Sequence, residues 1–124
     1  MRKWAFLAVG GILGTVLRVL VTESAQRLSG AVIPFGTWIV NVTGCLLMGA
    51  FSVALQARSS LDPHARFLLM AGFCGAYTTF STFMLETDGL LQRQGTAAAA
   101  AYVLLSFAVG FAAFRLGASL AGRL

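Results

Sequence analysis

Charge is the scarcest property of this 124-residue sequence: Lys, Arg, Asp and Glu together make up 10% of it, and only four residues are acidic. Soluble domains carry about 25% charged residues, so a water-soluble globular domain is excluded. Two prolines, two cysteines and one histidine leave no Pro-rich linker, no disulfide framework and no metal cluster. Cys45 and Cys74 lie inside apolar runs and read as small buried hydrophobes. No nucleophile stands beside a base and no carboxylate pair is spaced for acid–base work, so an enzyme is not expected. The net charge of +5 invites a nucleic-acid reading, but the basic residues are scattered without an aromatic-basic patch. Lys and Arg flanking membrane helices account for them better.

Apolar residues are abundant: 58% of the chain is hydrophobic, and the mean hydropathy is +0.84. A spanning helix needs roughly 20 residues, so the chain has room for four and little else. The expected fold class is an all-α integral membrane protein, a single transmembrane domain over residues 1–124. Its helices are expected at residues 4–28, 37–56, 67–91 and 96–120.

Met1-Arg2-Lys3-Trp4 and the apolar run behind it mimic a signal peptide. Arg18 interrupts that run and no clean small-x-small cleavage site follows, so a retained first helix is expected. Gly10 and Gly14 form a G-x-x-x-G pair suited to close helix contact. Arg18 either faces a cavity or partner or snorkels to the interface. Ser29-Gly30 ends this helix, Pro34 disfavours helix at Ile33, and Gly36-Thr37 can open the second helix. Asn41, one turn inside, must find partners, either as helix–helix glue or as a donor aimed into a polar cavity. The hydrophilic stretch 58–66 reads as a loop with His64 solvated.

The third segment is the unusual one. Gly72, Gly75, Thr78 and Thr79 stand where a plain membrane helix carries Leu and Val. Glycine and threonine both weaken a helix, so a break is expected between Gly75 and Thr79, with halves at 67–76 and 80–91. In lipid a break survives only where its freed backbone groups meet protein, water or an ion. Phe80 and Phe83 follow on one helical face, with hydroxyls at Thr79, Ser81 and Thr82 around them. A glycine kink with two packing phenylalanines is one reading; an ion-binding break with rings lining a path is the other. Glu86 and Asp88 are expected near the membrane interface. On the last helix Tyr102, Ser106 and Gly110 recur every four residues. They make a polar face or a packing face whose serine bonds its own helix.

With four spans both termini share one side, which holds six of the nine basic residues (Arg2, Lys3, Arg58, Arg66, Arg115, Arg123) against Arg18, Arg27 and Arg93. That favours termini inside without excluding insertion both ways. Four helices enclose little interior, and small-residue faces on the first and last imply a partner chain, a homodimer being simplest.

Taken together, Gly10-Gly11-x-x-Gly14-x-x-x-Arg18, Gly36-Thr37-x-x-x-Asn41-x-x-Gly44, Gly72-Phe73-x-Gly75-x-x-Thr78-Thr79-Phe80-Ser81-Thr82-Phe83 and Glu86 resemble the small fluoride channel family, the Fluc or CrcB proteins. The likeness covers nearly the whole chain. It implies an antiparallel, dual-topology homodimer in the cell inner membrane, with two pores that passively export cytoplasmic fluoride. It further implies a structural sodium ion at the dimer centre, held by the backbone carbonyls of Gly75 and Thr78. Phe80 and Phe83 map onto the aromatic pair that meets fluoride, Asn41 onto the pore amide and Arg18 onto the vestibule arginine. Tyr102 and Ser106 correspond more loosely to last-helix pore positions. The chain departs from the pattern at Ala76, where a second glycine often stands, and at Met84, where a serine often follows the second phenylalanine.

The chemistry fits that resemblance. Fluoride's hydration must be replaced by donors in a narrow path, and aromatic ring edges carry positive quadrupole charge. The alternative of similar size is a small multidrug-type proton-coupled transporter. It needs a membrane-embedded carboxylate, and the first helix has none before Glu23.

Overall fold

The computed structural model describes residues 1–29, 33–57 and 64–123. Gly30, expected to stop the first helix, and residues 58–63 of the hydrophilic loop lie outside the described residues. The described chain is helical: α1 (Arg2–Ser29), α2 (Phe35–Ala57), a π-helical segment (Phe67–Cys74), α3 (Gly75–Tyr77), α4 (Phe80–Gln94) and α5 (Thr96–Ala121). Among the described residues, four stretches are long and apolar enough to cross a membrane: Arg2–Ser29, Phe35–Gln56, Phe67–Gln94 and Thr96–Ala121.

Of the boundaries that differ from those expected, two have clear local reasons. Helix α2 opens at Phe35 because the Pro34 carbonyl already accepts the Trp38 N–H at 3.2 Å; Gly36 and Thr37 sit inside its first turn. A proline at a helix start wastes no donor. The third span continues to Gln94 and stops at Gly95, whose φ of 86° reverses the chain into α5. Glycine alone takes that backbone conformation without strain.

Helix α1 packs along the π-helical segment, and α2 along α5. Both contacts are backbone on backbone. A Cβ on Gly10 would strike the Leu68 carbonyl, and one on Gly14 the Phe73 carbonyl. Across the other pair, Gly117 faces the Leu46 carbonyl and Gly49 the Phe114 carbonyl. The Gly10–Gly14 face of the first span and the Gly117 face of the last are therefore filled by the chain's own helices, so these glycines do not argue for a partner chain.

His64 is not a solvated loop residue. It is half-buried, with its ring centroid 5.6 Å from that of Phe6 and 6.4 Å from that of Phe67. Its carbonyl accepts the N–H groups of Phe67 and Leu68, opening the third span. Both cysteines are free thiols, Cys74 fully buried and Cys45 half-buried. Val40, Thr37 and Cys74 are the most completely buried side chains, while Ile12, Leu104 and Phe111 are among many large apolar residues left exposed. That inversion suits a chain whose solvent is hydrocarbon.

Candidate functional site

The third span loses its helical backbone at two threonines. Thr78 (φ −84°, ψ 159°) and Thr79 (φ −148°, ψ 117°) are extended, whereas Gly75 keeps helical angles (φ −63°, ψ −33°). The chain thus opens at β-branched residues suited to extended backbone, not at the glycine. Thr78 closes α3 with its N–H and its Oγ1, both donating to the Cys74 carbonyl at 3.0 Å. Thr79 is the N-cap of α4, its Oγ1 accepting the Thr82 N–H at 3.3 Å. Helix α2 carries glycine where this turn passes: a Cβ on Gly44 would strike Thr78 Cγ2.

Asn41 grips the opened turn at both edges of its amide. Its Oδ1 accepts the Thr79 N–H at 2.8 Å, and its Nδ2 donates to the Thr79 carbonyl at 3.2 Å. The expected choice between glue and cavity donor is thereby reframed, because the amide is a latch on backbone. An uninterrupted helix would direct the Thr79 N–H to the Gly75 carbonyl and the Thr82 N–H to the Thr78 carbonyl. Both donors are diverted, one to Asn41 and one to Thr79 Oγ1. Arg18 reaches the same turn from α1, where its Nε donates to the Ala76 carbonyl at 3.1 Å. The bond answers the expected cavity or partner with a backbone carbonyl of the same chain, and it places a cation at the carbonyl end of α3, where the helix dipole favours one.

On the far side of the turn the aromatic rings gather. The Phe80 and Phe83 centroids are 6.2 Å apart. Phe83 continues to Tyr102 at 5.1 Å and meets Phe107 edge-on at 6.4 Å. Phe83 is 4% exposed and Phe80 67%, so one ring of the pair is walled in and the other is open. A cavity of about 420 Å³ brings together Asn41, Thr78, Thr79, Phe80, Phe83 and Ser106.

Of the remaining candidates, Ser106 lines that cavity, whereas Ser81, Thr82 and Tyr102 are not among its lining residues. Ser106 Oγ donates to the Tyr102 carbonyl at 2.6 Å, the arrangement of a serine bonding its own helix. Ser81 is exposed, its Oγ 3.5 Å from Thr79 Oγ1. Thr82 Oγ1 accepts from Thr79 Oγ1 at 3.0 Å and keeps its own proton to donate. Tyr102 lies behind Phe83 and donates to Glu86 Oε2 at 3.2 Å, while Thr37 Oγ1 donates to Glu86 Oε1 at 2.7 Å. Glu86 is thus half-buried and clasped by hydroxyls from α2 and α5. Phe107 was not singled out in the sequence, and Thr37 was read as a helix opener and a motif position but not as a partner of Glu86. A usable signal existed for Thr37: with Asn41 and Gly44 it recurs at four and then three residues, one face of α2.

The family model described as CrcB-like protein, Camphor Resistance (CrcB), matches residues 5–118. The fluoride-specific ion channel FluC of Nitrobacter winogradskyi is 44% identical over 123 residues, 97% of this chain and 94% of that protein. The fluoride-specific ion channel FluC of Caulobacter sp. is 42% identical over 125 aligned residues, 100% of this chain and 98% of that protein, and that of Flavobacterium psychrophilum is 37% identical over 124, 100% of each. The chain is similar to these proteins from end to end, and the chain belongs to the CrcB-like family.

Proposed function

We propose that this protein is a fluoride-selective channel of the cell inner membrane, working as an antiparallel, dual-topology homodimer that lets cytoplasmic fluoride leave passively. Its full-length relatives are named as fluoride-specific channels. The observation that carries the reading here is the turn at Thr78–Thr79, latched by Asn41 beside the paired rings of Phe80 and Phe83. Eleven residues of the third span precede that turn and fifteen follow it, so the break falls near mid-bilayer. There the two half-helices present opposite dipole ends, an arrangement suited to ions.

The dimer reading rests on incompleteness. Phe80 lines the cavity and is two-thirds exposed, and among the described residues no helix covers that ring. A second copy related by a two-fold axis supplies one.

The donor set fits a sodium ion. Among the described residues no three His, Cys, Asp or Glu side chains converge. Among the carbonyls released at the turn are those of Gly75 and Thr78, neutral oxygens whose helical donors are diverted to Asn41 and Thr79 Oγ1. Uncharged hard oxygens suit a hard cation of low charge. A bound sodium ion supplies a fixed positive charge beside the anion path.

Fluoride's water is replaced along the path by several weak donors. The ring edges of Phe80 and Phe83 present positive quadrupole charge. The Thr82 hydroxyl keeps a proton, and the second N–H of the Asn41 amide remains beyond the one given to Thr79. Ser106 serves only after rotating away from the Tyr102 carbonyl. Arg18 raises the potential near the turn without entering the cavity. Shared, individually weak contacts let the ion leave as readily as it enters.

The transporter alternative gains no support: the relatives are fluoride channels by name, and Arg18, the one charge between Trp4 and Thr22 of the first span, holds a carbonyl. The test is ion efflux from liposomes holding the purified protein. Fast fluoride release with retained chloride is expected. Well-folded protein that releases no fluoride overturns the reading.

A further inference from the structure

The resemblance casts Asn41 as a pore amide, yet its hydrogen bonds go to the backbone of the turn. We propose that Asn41 creates the cation site, by holding the Thr79 N–H away from the Gly75 carbonyl. The inference rests on the sodium reading given above and deepens it.

The argument is one of donor supply. In hydrocarbon every backbone N–H must find an acceptor. Oδ1 of Asn41 takes the Thr79 N–H at 2.8 Å. Without that oxygen the nearest acceptor by helical geometry is the Gly75 carbonyl, four residues back. Thr79 would then return to helical angles, and the carbonyl intended for the cation would be consumed. The second contact, Nδ2 to the Thr79 carbonyl at 3.2 Å, fixes the turn against sliding, since the N–H and the carbonyl of one residue, on two successive peptide groups, are held by one rigid amide. Thr79 Oγ1 does for the Thr78 carbonyl what Asn41 does for Gly75, because it takes the Thr82 N–H at 3.3 Å. Two side chains thus set free two carbonyls, the two that the sodium reading assigns to the cation. Asn41 acts here as a positioning residue, and its acceptor oxygen is the part that matters.

That distinction separates it from a pore amide, whose useful part is the donor nitrogen. The experiment follows the thermal midpoint of the purified full-length protein in detergent. NaCl is titrated against N-methylglucamine chloride at constant ionic strength. The parent midpoint is expected to rise with sodium, as for any ligand that binds the folded state. Asn41→Leu, which lacks the acceptor, is expected to need at least about tenfold more sodium for the same rise. Asn41→Asp, which keeps an acceptor oxygen and loses the amide donor, is expected to keep the parent's sodium response while losing fluoride flux. Asn41→Ala replaces the leucine variant if that one does not fold. Thr79→Val, close to isosteric, probes the same logic at the Thr78 carbonyl and is expected to weaken the sodium response. A parent sodium response that Asn41→Leu or Asn41→Ala retains overturns the proposal and leaves the sodium site standing. Loss of the response in Asn41→Asp as well as Asn41→Leu also overturns it, because the acceptor oxygen is then not what matters. A parent with no sodium response overturns the sodium reading itself, and the proposal with it.

Discussion

Two regions of the molecule solve opposite problems with opposite residues. Where α1 meets the π-helical segment and α2 meets α5, glycines let backbones touch: Gly14 lies under the Phe73 carbonyl and Gly117 under the Leu46 carbonyl. At Thr78–Thr79 the task is to keep backbone groups from pairing with one another. Polar side chains do it, with Asn41 and Thr79 Oγ1 intercepting the donors that would close the helix. In lipid no hydrophobic force pulls helices together, so close packing and hydrogen bonds carry the structure. The first region uses packing and tolerates nothing larger. The second uses hydrogen bonds and depends on chemistry rather than volume.

The comparison breaks most severely at the glycines. Gly117→Leu drives a side chain into the Leu46 carbonyl, backbone that cannot swing aside. We expect a loss of about 3 kcal/mol or more, read as collapse of the folded fraction on size exclusion in detergent. A folded Gly117→Leu protein of near-parental stability contradicts the close approach.

The next largest effect belongs to the rings. Phe80→Ile and Phe83→Ile each keep apolar bulk and remove the aromatic edge. Fluoride flux is expected to fall by about a hundredfold or more, roughly 2.7 kcal/mol in barrier terms, while the protein elutes as the parent does. Phe80, open and 67% exposed, should cost less stability than Phe83, which packs against Tyr102 and Phe107. Unchanged flux in both variants removes the rings from the pathway.

The smallest effect sharpens the contrast. Gly11 sits beside Gly10 in the sequence, yet a Cβ there meets nothing within 4 Å. Gly11→Ala is expected to leave the thermal midpoint within the equivalent of about 0.5 kcal/mol, or to raise it slightly through better helix propensity. Gly10→Ala, aimed at the Leu68 carbonyl, should lower it clearly. Equal effects at the two positions would show that backbone contact is not what Gly10 serves.

Much of this was legible in the residues. Four apolar runs of spanning length follow from hydropathy alone, since lipid demands it. The Gly75–Thr79 window flagged the interruption because glycine and threonine weaken helices, although the glycine proved helical and the threonines extended. Asn41 announced itself because an amide deep in an apolar helix must be paired. Arg18 announced itself as a charge without announcing its partner, the Ala76 carbonyl, 58 residues away. The Gly10–Gly14 face was visible too, but its occupant was read as a second chain and is the Phe67–Cys74 segment of the same one.

The sequence by itself determined the number of spans, the place where the third weakens, and the residue types available there. It could do so because length, hydropathy and helix propensity are local quantities. Which helix lies against which glycine, that Thr37 and Tyr102 both donate to Glu86, and that Asn41 grips Thr79 rather than pointing elsewhere were decided only by tertiary structure. A membrane helix is apolar on every face, so its pattern does not say which side is inside. The partners of its few polar groups are fixed when the helices pack, through contacts that span the chain.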